Sequence, residues 1–136
     1  MIAADTSVVV AALAGWHEAH DVAWAAVAAA GRVRLPAHCL LEAYSVLTRL
    51  PPPHRLEPRS ARHLLLASFG EAPLTLGGEA HATLLEGLVD AGVSGGATYD
   101  ALIGVTAASH GALLLTRDAR AVRIYAALGV QIQMVG

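Results

Sequence analysis

The chain has no lysine; all nine of its Lys-or-Arg cations are arginine. That absence excludes the lysine-bearing phosphate loop of nucleotide-binding proteins, Schiff-base catalysis and the lysine of phosphoacceptor receiver domains. Cysteine is almost as scarce. With Cys39 alone, no intrachain disulfide and no thiolate zinc cluster can form, which fits a reducing, cytoplasmic setting. Charge is also thin, at 15% of residues with a formal net value of -2. No global positive field therefore draws the chain to nucleic acid. Such a role needs a local arginine patch or metal ions bridging to phosphate. Long hydrophobic runs are missing as well. The longest, Val22 to Ala30, is far short of the ~20 residues that span a bilayer. No basic segment precedes the first apolar residues, so neither a signal peptide nor a membrane anchor is expected.

What is present is apolar and rich in alanine, which favours helix. The 136 residues suit one domain, spanning 1–136, with one substantial core. Apolar runs alternate with helical patterns, which predicts an α/β fold with a parallel sheet. Strands are expected at Ile2–Ala4, Val33–Leu35, Ala112–Thr116 and Val130–Val135, with a weak one at Pro73–Leu76. Helices are expected over Thr6–Ala14 and Glu18–Ala30, and from Pro36 to about Leu50, where Pro51-Pro52-Pro53 stops the run. Others run from Pro58 or Arg59 to near Gly70, over Gly78–Ala91, from a Thr98 cap to before Gly111, and over Asp118–Leu128.

Four acids stand where the chain has least reason to tolerate them. Their contexts are MIAAD-TS at Asp5, HCLLE-AYSVL at Glu42, ATYD-ALIGV at Asp100 and ALLLTR-D-AR at Asp118. A carboxylate among apolar neighbours is costly unless hydrogen bonds or a cation hold it. Asp5 and Asp118 fall just beyond the carboxyl ends of expected strands, the edge where open α/β sheets collect ligands. Asp100 falls in the first turn of a helix, whose dipole favours a carboxylate. Brought together, the four suit a hard divalent cation. Taken singly, Asp5 and Asp118 read as ordinary N-caps. Glu42 reads as the partner of Arg49 on the same helical face.

With these residues in this order, the chain resembles PIN-domain ribonucleases, and in size the VapC-type toxins of VapBC toxin–antitoxin pairs. The resemblance rests on Asp5-Thr6-Ser7 after a short strand and on Leu41-Glu42-Ala43-Tyr44 within a helix. It continues with Tyr99-Asp100-Ala101-Leu102 opening a helix and Leu114-Leu115-Thr116-Arg117-Asp118 ending a strand. It implies a PIN-like three-layer sandwich, with a short parallel sheet of four to five strands flanked by helices. It implies a Mg²⁺- or Mn²⁺-dependent endoribonuclease acting on structured RNA, transfer or ribosomal. It also implies a homodimer and a VapB-type antitoxin that blocks the site. By the same resemblance, Asp5, Glu42, Asp100 and Asp118 form the acidic quartet, and Thr6 or Ser7 and Thr116 are supporting hydroxyls. Arg117 and Arg120 lie close enough to Asp118 to meet RNA phosphate.

Other patterns carry less. Gly92-Val93-Ser94-Gly95-Gly96 spells a nucleophile elbow, but a helix and not a strand precedes it. His17-Glu18-Ala19-His20 is one residue short of a zinc-protease helix. His38 and Cys39 read as core or helix start, and His110 as a helix end. Trp24 reads as core and Trp16 as an interface residue. A catalytically silent metal- or RNA-binding regulator on the same fold is the main alternative. A phosphatase is disfavoured, because Asp5 is not followed by Asp-x-Asp spacing and lysine is absent.

Overall fold

The computed structural model describes residues 1–136. Its elements run β1 (Ile2–Ala4), α1 (Thr6–Leu13), α2 (His20–Ala30), β2 (Val33–Arg34), α3 (Ala37–Thr48), α4 (Pro58–Ser68), α5 (Gly78–Asp90), α6 (Ala97–Ser109), β3 (Leu113–Thr116), α7 (Ala119–Ala127) and β4 (Ile132–Met134). The four strands form one sheet in the order β2-β1-β3-β4, all parallel. Each crossover between neighbouring parallel strands contains helix, as parallel pairing demands. The α/β reading of the sequence holds, with seven helices flanking the sheet.

Several expected boundaries move, for local reasons. The weak strand at Pro73–Leu76 contracts to one bridge, Pro36 to Leu74. Leu74 donates to Leu35 O and accepts from Ala37 N–H. The ladder stops there because the partner segment turns into α3 at Ala37 and Ala72 O is taken by the Arg34 side chain. The helix expected from Glu18 begins at His20, because His17 Nδ1 accepts from Ala19 N–H and holds a turn there. The helix bearing Asp100 has no side-chain cap from Thr98; Gly96 stands at its cap position.

Small side chains let the central elements approach closely. Ala3, Ala4, Val8, Val9 and Ala11 are fully buried where β1 and α1 meet the rest of the core. Cys39, Ala43 and Leu47 form the inward stripe of α3, at helical spacing. Cys39 is therefore core, and burial pushes its thiol well above the usual range. Trp24 departs from the sequence reading: it is 47% exposed and not core. Its neighbours on the inward face of α2 are Ala23 and Val27. No helix is long and apolar enough to cross a membrane.

The β1–β3 register fixes the geometry of the acids. Ala4 lies opposite Leu115, and Asp5 N–H donates to Leu115 O at 3.0 Å. Asp5 therefore leaves the sheet beside Thr116, and Asp118 follows two residues later at the same carboxyl edge.

Candidate active site

Asp5 is the anchor of the site. It is 3% exposed and caps α1. Its Oδ1 accepts from Ser7 N–H at 3.1 Å, Val8 N–H at 3.3 Å and the Ser7 hydroxyl. Its Oδ2 accepts from the Thr116 hydroxyl and, at 2.9 Å, from Tyr125 Oη. The two hydroxyls also tie the strand ends together. Ser7 Oγ accepts from Arg117 N–H at 2.9 Å, and Thr116 Oγ1 accepts from Asp118 N–H at 3.1 Å. Of the expected supporting hydroxyls, Ser7 and Thr116 thus touch Asp5 directly. Thr6 turns away and donates to Cys39 Sγ at 3.6 Å.

Asp118 caps α7, with Oδ1 accepting from Arg120 N–H at 2.9 Å. For Asp5 and Asp118, capping and clustering are therefore compatible. Glu42 is paired from the opposite direction to that expected. His38, one turn earlier on α3, places Nε2 3.4 Å from Glu42 Oε2, while Arg49 stands exposed at the end of the helix. His38 is also stacked on Tyr99, so it is neither core nor a bare helix start.

Asp100 registers the charge of the whole group. Its carboxyl is raised to about 6, first by burial and then by Asp118, Glu42 and Asp5, while His38 acts in the opposite sense. Asp118, Glu42 and Asp5 therefore all lie within electrostatic reach of Asp100. Tyr125 is driven upward by burial and by the neighbouring Asp5, so it remains a neutral donor. The sequence carried no signal for Tyr125 as a partner of Asp5, because nothing local connects residues 120 positions apart.

Arg117 and Arg120 differ. Arg120 is exposed. Arg117 is half-buried, and its Nε is shielded without a hydrogen-bond partner. Neither forms an ion pair with a carboxylate, the ion pairs being Arg32–Glu71 and His38–Glu42.

The oxygens do not converge into a ready-made cage: no three His, Cys, Asp or Glu side chains are grouped so as to hold an ion. The reason is visible in their partners. Asp5 faces Ser7, Thr116 and Tyr125, Asp118 faces its own helix, and Glu42 faces His38. The donor set nonetheless fits a hard divalent cation. It is all carboxylate oxygen and collectively negative, and Mg²⁺ binds through one or two carboxylates while retaining water.

Packing reaches the anchor through Gly104. A Cβ there would lie 2.7 Å from Tyr125 Cδ1 and 3.1 Å from Val130 Cγ2. Gly104→Ala must therefore push Tyr125 aside and loosen its bond to Asp5. We expect a loss of about 1–3 kcal/mol from overpacking, measured by urea unfolding, with a parallel fall in activity. Unchanged stability would show that Tyr125 can yield freely.

Residues 2–127 match the family model of the PIN domain, and the chain belongs to that family. It is 50% identical to ribonuclease VapC40 of Mycobacterium tuberculosis over 136 residues, covering 99% of each chain. It is 45% identical to ribonuclease VapC27 of the same organism over 133 residues, covering 96% of this chain and 94% of that one. Among solved structures, a chain of the Rickettsia felis VapBC2 complex bound to a promoter DNA fragment superposes with a TM-score of 0.71 at 15% identity, over the full length of both chains. A chain of the Neisseria gonorrhoeae FitAcB structure superposes with a TM-score of 0.70 at 20% identity, covering 97% of this chain and 96% of that one. Those structural likenesses carry the fold.

Proposed function

We propose that this chain is the endoribonuclease toxin of a toxin–antitoxin pair, dependent on Mg²⁺ or Mn²⁺, with RNA as substrate and a VapB-type antitoxin as partner. The observation that carries the reading is the placement of Asp5 and Asp118 side by side at the carboxyl edge of the sheet, where Thr116 bonds to both. It is supported by near-full-length identity to two named ribonucleases. The antitoxin partner is supported by the likeness to chains of VapBC and FitAB assemblies. The fine points of the reading are a structured RNA target, a homodimer and a cytoplasmic setting.

The chain's own residues would act as follows. Asp5, fixed by five hydrogen bonds from Ser7, Val8, Thr116 and Tyr125, would bind an ion directly by giving up one of these donors, or through a water. Asp100 and Asp118 complete the set of direct ligands, and Asp100 must be ionised to serve. Glu42, steadied by His38, orients the attacking water or holds a second ion. Arg117 and Arg120 carry the charge that meets phosphates flanking the cut. When bound, the divalent ion polarises the phosphodiester and lowers the pKa of a water.

The test is cleavage of transfer and ribosomal RNA by the purified chain in Mn²⁺, with and without EDTA, beside Asp118→Asn. Asparagine caps a helix as well as aspartate does, so the variant should fold and yet lose at least ~100-fold in rate. A wild-type chain that leaves every RNA intact would favour the catalytically silent regulator.

A further inference from the structure

Tyr99 is 51% exposed, and its ring lies against His38 with centroids 4.9 Å apart and planes 5° from parallel. Single exposed aromatic residues are common and need no explanation. This one is held differently. His38 is fixed in turn by Glu42 at 3.4 Å. Tyr99 precedes Asp100 in the first turn of α6. Two aromatic rings are thus stacked between two of the four acids, with the outer ring half open to solvent.

The other exposed aromatic residues lie elsewhere. Trp16 stacks on His54, 4.2 Å away, beside Leu13, Leu47 and Pro53. Trp24 is on α2. Only Tyr99 adjoins the acids.

We infer that the Tyr99–His38 stack is a platform for a nucleobase of the RNA strand next to the scissile phosphate. The inference rests on the ribonuclease reading and adds the way the strand is held. A chain with no lysine and a net charge of -2 has little electrostatic attraction for RNA. Base stacking on an aromatic ring supplies affinity that does not depend on charge, and it targets unpaired bases. A tyrosine already braced against a second ring loses little freedom when a base is added. Consecutive side chains on a helix diverge by about 100°, so the base would sit at the rim of the acidic cluster and leave the phosphate over it.

The experiment uses short single-stranded RNA carrying one 2-aminopurine, titrated in Mg²⁺ with the full chain bearing Asp118→Asn to prevent cleavage. The parent should bind and quench the probe. Tyr99→Phe should do the same, because it keeps the ring. Tyr99→Leu should bind about tenfold more weakly and lose the quench. In the cleaving chain, Tyr99→Leu should raise KM and leave kcat nearly unchanged. Equal affinity and equal quenching by Tyr99→Leu would overturn the platform. So would unchanged RNA binding with weakened inhibition by the antitoxin, which would make Tyr99 a protein contact. Quenching that depends on Tyr99 in a chain that cuts no RNA would support the platform and sink only the nuclease reading.

Discussion

Asp5→Ala should abolish activity and cost about 3 kcal/mol or more of stability. The activity follows from removing the best-held carboxylate, and a fall of at least ~100-fold is expected. The stability follows from the donors left behind. Thr116 is fully buried and Tyr125 is 1% exposed, and both donate to Asp5 Oδ2. Each orphaned buried hydroxyl costs roughly 1–3 kcal/mol, and loss of the α1 cap adds about 1 kcal/mol. Asp5→Asn keeps an acceptor oxygen for the cap, and hydroxyls can accept from its amide. It should be equally inactive yet much closer to wild type in urea unfolding. Equal destabilisation by the two substitutions would mean that the hydrogen bonds to Asp5 are not what holds the strand ends together.

Asp100→Asn should do the reverse, trading activity for stability. The Asp100 carboxyl is raised to about 6 by burial and by Asp118, Glu42 and Asp5, above its ordinary value near 3.8. The folded chain therefore holds this proton more tightly than the unfolded chain does. The group's contribution is most favourable below about pH 4, falls as pH rises towards 6, and is unfavourable and flat above. Asparagine removes that dependence. Because the group is half-buried and partly screened, we expect a gain of about 1 kcal/mol at pH 7.5, or roughly 4 °C in Tm in EDTA. Cleavage should be lost. Adding Mg²⁺ should raise the Tm of wild type more than that of the variant and close the gap. A variant no more stable than wild type, or a gap indifferent to Mg²⁺, would contradict charge crowding at this position.

Much of this arrangement is legible in the amino-acid sequence. Asp5 and Asp118 follow apolar runs, and parallel strands put such residues on one edge. Asp100 opens a helix after a glycine-rich turn, so its place was legible too. What could not be read lies in contacts between distant elements. Tyr125 meets Asp5 only because α7 folds back across the end of β1. His38 meets Glu42 and Tyr99 because its ring projects towards α6; sequence spacing alone pointed to Arg49 as the partner of Glu42. Trp24 was misjudged because α2 is apolar all round, so periodicity could not tell its buried face from its open one. The fifth strand is a single bridge because its partner segment becomes helix at Ala37 and the Arg34 side chain takes Ala72 O.

The proposal on which the others depend is that these four carboxylates border one site for a divalent cation. It is tested most directly by anomalous diffraction from crystals of the unsubstituted chain soaked in Mn²⁺. A manganese peak should appear bordered by Asp5, Asp100 and Asp118, at about 2.0–2.2 Å from at least one carboxylate oxygen, with Glu42 beside it or beside a second peak. Strong manganese density elsewhere on the molecule, with none among these four residues at saturating concentration, would contradict it.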